Sequence, residues 1–134
     1  AGWTELKDYG GPVNYPGQCV TEEQLAARPA AEQEAYAKWT KENYSKERFA
    51  ADFSIAANVA KRHGIQVYCG EYGCLSDEPN DEVRYRWLAD MNDVFDELGI
   101  ARAIWCYREA EDGFGILSGM RGPVDQAMLD ALLK

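Results

Sequence analysis

Apolar residues recur along this chain with two different periods, and the alternation between them marks out its elements. Over residues 46–63, Phe49, Phe53, Ala56, Ala57 and Ala60 fall three and four apart, the spacing of one helical face. Ser45 reads as the cap of this helix, Lys61, Arg62 and His63 stand in its last turn where cations suit the dipole, and Gly64 follows as the stop. The small residues on the apolar face predict close packing on a sheet. A second stripe, Trp87, Leu88, Met91, Val94, Phe95 and Leu98, predicts a helix over 81–98 ended by Gly99. Between the two, Ile65, Val67 and Tyr68 make residues 65–71 a buried strand by composition, and residues 101–107 read as another. A last helix over 124–133 turns Met128, Leu129, Leu132 and Leu133 inward. The order helix, strand, helix, strand, helix implies parallel strands with right-handed crossovers.

The first 44 residues follow neither period for long. Residues 1–20 are dense in glycine, proline and aromatics and read as a structured loop, with Trp3, Tyr9 and Tyr15 either packing it down or, for Trp3, stacking on a sugar. Thr21-Glu22-Glu23-Gln24 matches a capping box and starts a short helix that Pro29 interrupts. Residues 30–43 read as a further helix, with Tyr36, Trp39 and Thr40 on one side and a solvated charged face on the other.

Composition narrows what such a chain can do. Its 134 residues allow one core, yet a complete eight-unit barrel needs about 250. A net charge of -9 with no basic stripe argues against nucleic acid or an anionic membrane as partner and leaves a neutral ligand such as a sugar unopposed. No apolar run is long enough for a membrane span, and no basic leader precedes an apolar stretch as in a signal peptide. Cys19, Cys69, Cys74 and Cys106 fit no zinc spacing, and one histidine cannot complete a Cys/His set; they read as mostly buried thiols with one disulfide possible. His63 is a helix-end residue, which leaves no Ser-His or Cys-His nucleophile. The acids of residues 76–82 lack calcium-loop order and load the next helix N-terminus instead. No metal or cofactor is expected.

The chemistry concentrates where strands end. Glu71 stands at the close of residues 65–71, with Gly70 and Gly73 beside it to let the backbone turn and a ligand come close. The next strand delivers Trp105 to the same side of a parallel sheet. An acid beside an indole suits a sugar ring, whose apolar face stacks while the carboxylate reaches the anomeric carbon.

Gly70-Glu71-Tyr72-Gly73 resembles the Gly-Glu-Phe/Tyr-Gly that ends the seventh strand in glycoside hydrolase family five, the cellulase family of the retaining (β/α)8 clan. Ile104-Trp105-Cys106-Tyr107 with Phe114-Gly115-Ile116 resembles its eighth strand and following loop; Asn14-Tyr15-Pro16-Gly17 and Ala1-Gly2-Trp3 resemble segments around the sixth. The resemblance implies an α/β fold, the C-terminal portion of a (β/α)8 TIM barrel with two parallel strands and flanking helices, incomplete as a single chain. Residues 1–134 would form one partial domain, with 1–44 a loop and helical insertion after the sixth strand and 45–134 the last two βα units. It further implies the C-terminal part of a retaining endo-β-1,4-glucanase, with Glu71 the nucleophile, Trp105 the sugar platform at the cleavage point, and Tyr107 and Trp3 further substrate contacts. The alternative is a non-catalytic carbohydrate-binding or structural fragment of such a barrel.

The family's acid/base glutamate lies on the fourth strand, outside these 134 residues, and retaining hydrolysis needs two carboxyl groups about 5 to 5.5 Å apart. Glu109, Glu111 and Asp112 read as solvated acids rather than substitutes. The expected partners are therefore a β-glucan or related polysaccharide, glucan, mannan and xyloglucan being unseparated, and the N-terminal remainder of the barrel as another chain or a swapped copy. Secretion is implied by the resemblance alone. Cys69 and Cys106, on adjacent strands, are the first candidates for a disulfide.

Overall fold

The computed structural model describes residues 6, 8–76, 81–108, 113–117 and 121–133. Two compact units divide the chain, Ala1–Ser45 and Lys46–Lys134.

In the first unit, Gly17–Gln18 (β1) precedes the helix Glu22–Ala26 (α1), whose capping box is complete: Gln24 N–H donates to the Thr21 hydroxyl at 3.1 Å and Thr21 N–H to the Gln24 side chain at 2.8 Å. The expected helix over 30–43 is shorter. It ends as Ala30–Tyr36 (α2), passes into a 3-10 turn over Ala37–Lys41, and gives way to Asn43–Tyr44 (β2), which pairs antiparallel with β1. Pairing requires extended backbone, and Glu42 already has it (φ -83, ψ 124), so its carbonyl can accept from Cys19 N–H at 2.8 Å. The segment expected as a loop is packed down: Leu6, Tyr9, Cys19, Val20 and Leu25 are buried together, with Tyr36, Trp39 and Tyr44 against them.

The second unit holds helix Lys46–His63 (α3), strand Tyr68–Tyr72 (β3), helix Asp81–Leu98 (α4), strand Ala101–Ile104 (β4) and helix Gln126–Leu132 (α5). Both long helices have the bounds that the apolar stripes predict. β3 and β4 are parallel neighbours, as the element order requires, and no closed barrel is formed among the described residues. Met91, Phe95 and Ile100 form one buried cluster, flanked by Phe49, Phe53, Val67, Cys69 and Tyr72; Leu88, Met128 and Ala131 form another, flanked by Tyr72, Tyr85 and Ile104. The Phe95 ring stands 5.3 Å from Phe53 and 5.1 Å from Tyr72, so the aromatic contacts tie α3, α4 and β3 into one layer.

Several residues expected inside are not. The strands are half-exposed rather than buried: Tyr68 is 63% exposed, and Ile65, Glu71 and Ala101 are exposed as well. Among the described residues of this unit, a two-stranded sheet with helices against one face leaves its other face and the outer edge of each strand uncovered. Ala56 is exposed, as are Ile55 and Val59, because α3 reaches the core through Phe49, Phe53 and Ala60. Leu133 lies beyond the end of α5 and is also exposed.

Two buried polar residues of α4 knit the unit together. Arg84, 4% exposed, donates from Nε to the Cys74 carbonyl at 2.9 Å and from Nη2 to the Phe114 and Gly115 carbonyls at 3.0 and 3.3 Å; its Nη1 reaches Asp125 Oδ2 at 3.5 Å. Asn92 accepts from the Tyr72 hydroxyl and from Arg102 Nε, and donates to the Ala131 and Leu132 carbonyls at 3.2 Å. Asp125 caps α5 by accepting from Met128 N–H at 2.9 Å, and it also accepts from the Tyr85 hydroxyl at 3.0 Å.

Burial, with the Asp125 carboxylate behind it, pushes the Tyr85 hydroxyl from 10.0 up to about 12. Folding thus favours the neutral phenol, a contribution present in full below pH 10.0 and lost as pH rises toward 12. Urea unfolding of the full chain will show stability falling across that window, with a shallower fall in Tyr85→Phe; parallel slopes would contradict the assignment.

Candidate active site

Register places Glu71 in an irregular stretch of β3. Cys69 lies opposite Arg102 and Tyr72 opposite Ile104, so three steps along β3 match two along β4. The extra residue is a bulge, and it breaks the ordinary alternation of faces. In an unbroken strand Cys69 and Glu71 would share a face. Here Cys69 and Tyr72 both pack toward the helices, while Gly70 and Glu71 are exposed. The Cys69 thiol donates to the Glu71 carbonyl at 3.3 Å inside this bulge.

Trp105 reaches the neighbouring position from β4. Arg102 and Ile104 engage groups on the helix side, so Ala101, Ala103 and Trp105 alternate to the uncovered face. Trp105 N–H donates to the Tyr72 carbonyl at 2.7 Å, extending the parallel ladder past the strand, and the Trp105–Cys106 peptide is cis. The indole is 47% exposed and Tyr107 is 63% exposed, with the Arg108 guanidinium 5.9 Å from the Tyr107 ring centre. The exit segment is braced from behind: Ile116 N–H donates to Cys106 at 3.0 Å and Leu117 N–H to Tyr107 at 3.1 Å. Glu71, Trp105 and Tyr107 thus come from the C-terminal ends of adjacent parallel strands. Among the described residues, nothing hydrogen-bonds the Glu71 carboxylate.

Tyr72 anchors the bulge from the other side. Its phenol is pushed above the ordinary range, chiefly by burial, so it remains a donor to Asn92. The Asn92 carbonyl also accepts from Arg102 Nε at 2.8 Å, and Arg102 is held in a two-pronged pair with Asp96 at 2.6 and 3.2 Å.

Of the residues singled out from the sequence, Glu71, Trp105 and Tyr107 lie exposed at or just past the C-terminal ends of the paired strands; Trp3, Glu109, Glu111 and Asp112 lie outside the described residues. None of the four cysteines is in a disulfide, so the Cys69–Cys106 bond is not formed. Among the described residues no group of three or more His, Cys, Asp or Glu could hold a metal ion. Two residues escape a reading by pattern, Arg84 and Asn92, although a signal exists. Arg84 falls on the stripe of Leu88, Met91 and Phe95, and Asn92 follows Leu88 by four, so each is a polar residue on an apolar face.

Gly73 marks the tightest point of the site. A Cβ there would stand 2.3 Å from the Trp105 carbonyl oxygen and 3.3 Å from the Phe114 ring, and a backbone carbonyl cannot swing aside as the tip of a flexible side chain can. Gly73→Ala will displace Trp105 and cost about 1–3 kcal/mol, the usual range for overpacking. Urea denaturation with tryptophan fluorescence checks both effects, and unchanged emission and midpoint would show that the contact is slack.

No family model matches the chain. Endoglucanase C of Acetivibrio thermocellus is 26% identical over 135 residues, covering all of this chain and 38% of that protein. Cellodextrinase A of Ruminococcus flavefaciens is 36% identical over 62 residues, covering 46% of this chain and 18% of that protein. Among solved structures, a hyperthermophilic endo-β-1,4-glucanase in complex with substrate superposes with a TM-score of 0.54 at 25% identity, covering 66% of this chain and 28% of that one. The chain thus spans well under half the length of the curated relatives it matches. It is an α/β chain similar over its whole length to endoglucanases, and its parallel strand pair with flanking helices corresponds to part of an endoglucanase barrel.

Proposed function

We propose that this chain supplies the nucleophile half of a retaining endo-β-1,4-glucanase site. The observation that carries the reading is the bulge in β3, which turns Glu71 onto the uncovered sheet face where Trp105 also lies. In this reading a glucosyl ring stacks on the Trp105 indole with Tyr107 beside it, and a Glu71 oxygen attacks the anomeric carbon as the glycosidic bond breaks. The product is a covalent glycosyl-enzyme, which water hydrolyses. A second carboxyl group protonates the departing oxygen and then deprotonates that water, a contribution worth about 10²- to 10⁴-fold.

That second carboxyl belongs to barrel units beyond these 134 residues, the second expected partner. Among the described residues of the second unit, the uncovered sheet face, the unpaired outer edge of β3 and the exposed Ile55, Val59, Ile65 and Tyr68 support such a partner, as does the 38% share of the relative's length. A unit with a parallel strand and an apolar helix face fits both features. The polymeric substrate is a β-glucan or a related polysaccharide, and a polymer of that size goes with an extracellular site of action.

With the chain joined to the remaining barrel units, Glu71→Gln will lower kcat on cello-oligosaccharides by on the order of 10⁴-fold or more while binding persists. Activity that survives this substitution would remove Glu71 from the mechanism. With the acid/base carboxyl assigned to other barrel units, a second statement follows about the chain by itself: it binds cello-oligosaccharides without hydrolysing them, and Trp105→Ala weakens that binding. Calorimetric titration with product analysis tests this, and turnover by the isolated chain would mean that it carries its own acid.

A further inference from the structure

We propose that Arg84 is a positioning residue of this site, setting the spacing between the exit of the Glu71 strand and the exit of the Trp105 strand. The inference rests on the reading of Glu71 and Trp105 given above and assigns a role to a residue that touches neither.

Three backbone carbonyls converge on the Arg84 guanidinium from two separate segments. Cys74, three residues after Glu71, is held through Nε at 2.9 Å. Phe114 and Gly115, on the segment that returns against Cys106 and Tyr107, are held through Nη2 at 3.0 and 3.3 Å. Nη1 is tied to Asp125 at 3.5 Å, which sets the direction of the planar fork. The two exits also meet directly, with Gly73 against the Trp105 carbonyl and the Phe114 ring, and with Ser76 N–H donating to Gly113 at 2.9 Å. Arg84 fastens the same two segments from the helix side.

The topology explains why an arginine of α4 can do this. α4 follows β3, so its first turns start at the end of the sheet where Glu71 and Trp105 emerge. Arg84 is the fourth residue of α4, and it is 4% exposed. A lysine carries one point of donation on a flexible stem and cannot reproduce a fork that spans Cys74, Phe114 and Asp125 at once. Losing the fork therefore lets the two exits separate while leaving each strand in place. In-line attack needs the acid placed against a ring whose position Trp105 fixes, and a displacement of about 1 Å costs roughly 100-fold in rate.

The test uses the chain joined to the remaining barrel units and compares the parent, Glu71→Gln, Arg84→Lys and Asp125→Asn on a soluble cello-oligosaccharide. Arg84→Lys will lower kcat by about 10- to 100-fold with KM changed far less. Asp125→Asn keeps the oxygen that caps α5 but loosens the anchor of the fork, so kcat falls by a smaller factor, again with KM nearly constant. Rates are expressed per folded molecule, with the folded fraction taken from circular dichroism at the assay temperature. An Arg84→Lys enzyme that melts earlier but keeps the parent kcat overturns the proposal and leaves Arg84 a stabilising residue only. Should Arg84→Lys not fold, a parent-like kcat in Asp125→Asn overturns it equally. An active Glu71→Gln enzyme is a different failure, since it removes the nucleophile on which the inference rests.

Discussion

The buried guanidinium of Arg84 is the interaction on which the second unit depends. Burying a charge is costly, and the cost is offset only when donors find good acceptors. Here the acceptors are the Cys74, Phe114 and Gly115 carbonyls and the Asp125 carboxylate, drawn from the segments after β3, after β4 and before α5. Those carbonyls are themselves polar groups that need partners. One residue of α4 therefore donates to backbone that lies outside the helices and strands. Asn92 does the same two turns further along, joining Tyr72 of β3, Arg102 of β4 and the end of α5.

Above this polar scaffold the two strands can carry chemistry because their helix-side residues are so firmly engaged. Cys69, Tyr72, Arg102 and Ile104 are all committed to the layer of helices, and the bulge between Cys69 and Tyr72 leaves Gly70 and Glu71 on the other side. An acid on a strand end is common. An acid turned by a bulge onto the same uncovered face as an exposed indole is a narrower arrangement, and the similarity to endoglucanases falls on the whole of the chain that builds it. The same uncovered face, with the free strand edge, is what an isolated pair of parallel strands ordinarily hides.

Legibility followed the range of the interactions involved. The capping box at Thr21 and the helices 46–63 and 81–98 could be placed to the residue, because cap hydrogen bonds and helical periodicity act over four residues or fewer. Residues 30–43 were harder. Alanine and glutamate favour helix throughout, yet pairing of Asn43–Tyr44 with Gly17–Gln18, more than twenty residues away, unwinds the end. Leu133 reads as an inward residue by spacing from Leu129 and is exposed because α5 has ended one residue before it.

The sequence by itself determined the order of elements, the parallel pairing that follows from it, and the identity of Glu71 and Trp105 as strand-end residues. These are consequences of local propensity and of connection rules that hold for any such order. Tertiary structure alone decided which way Glu71 points, since a bulge is an offset between two strands and has no meaning in one. It also decided that Arg84 and Asn92 would be buried, because the acceptors that make their burial tolerable come from segments up to 41 residues away. The uncovered sheet face is likewise a property of the packing: Ile65 and Tyr68 are the residues of a buried strand, and they are exposed because, among the described residues of the second unit, the core clusters form on the helix side of the strand pair.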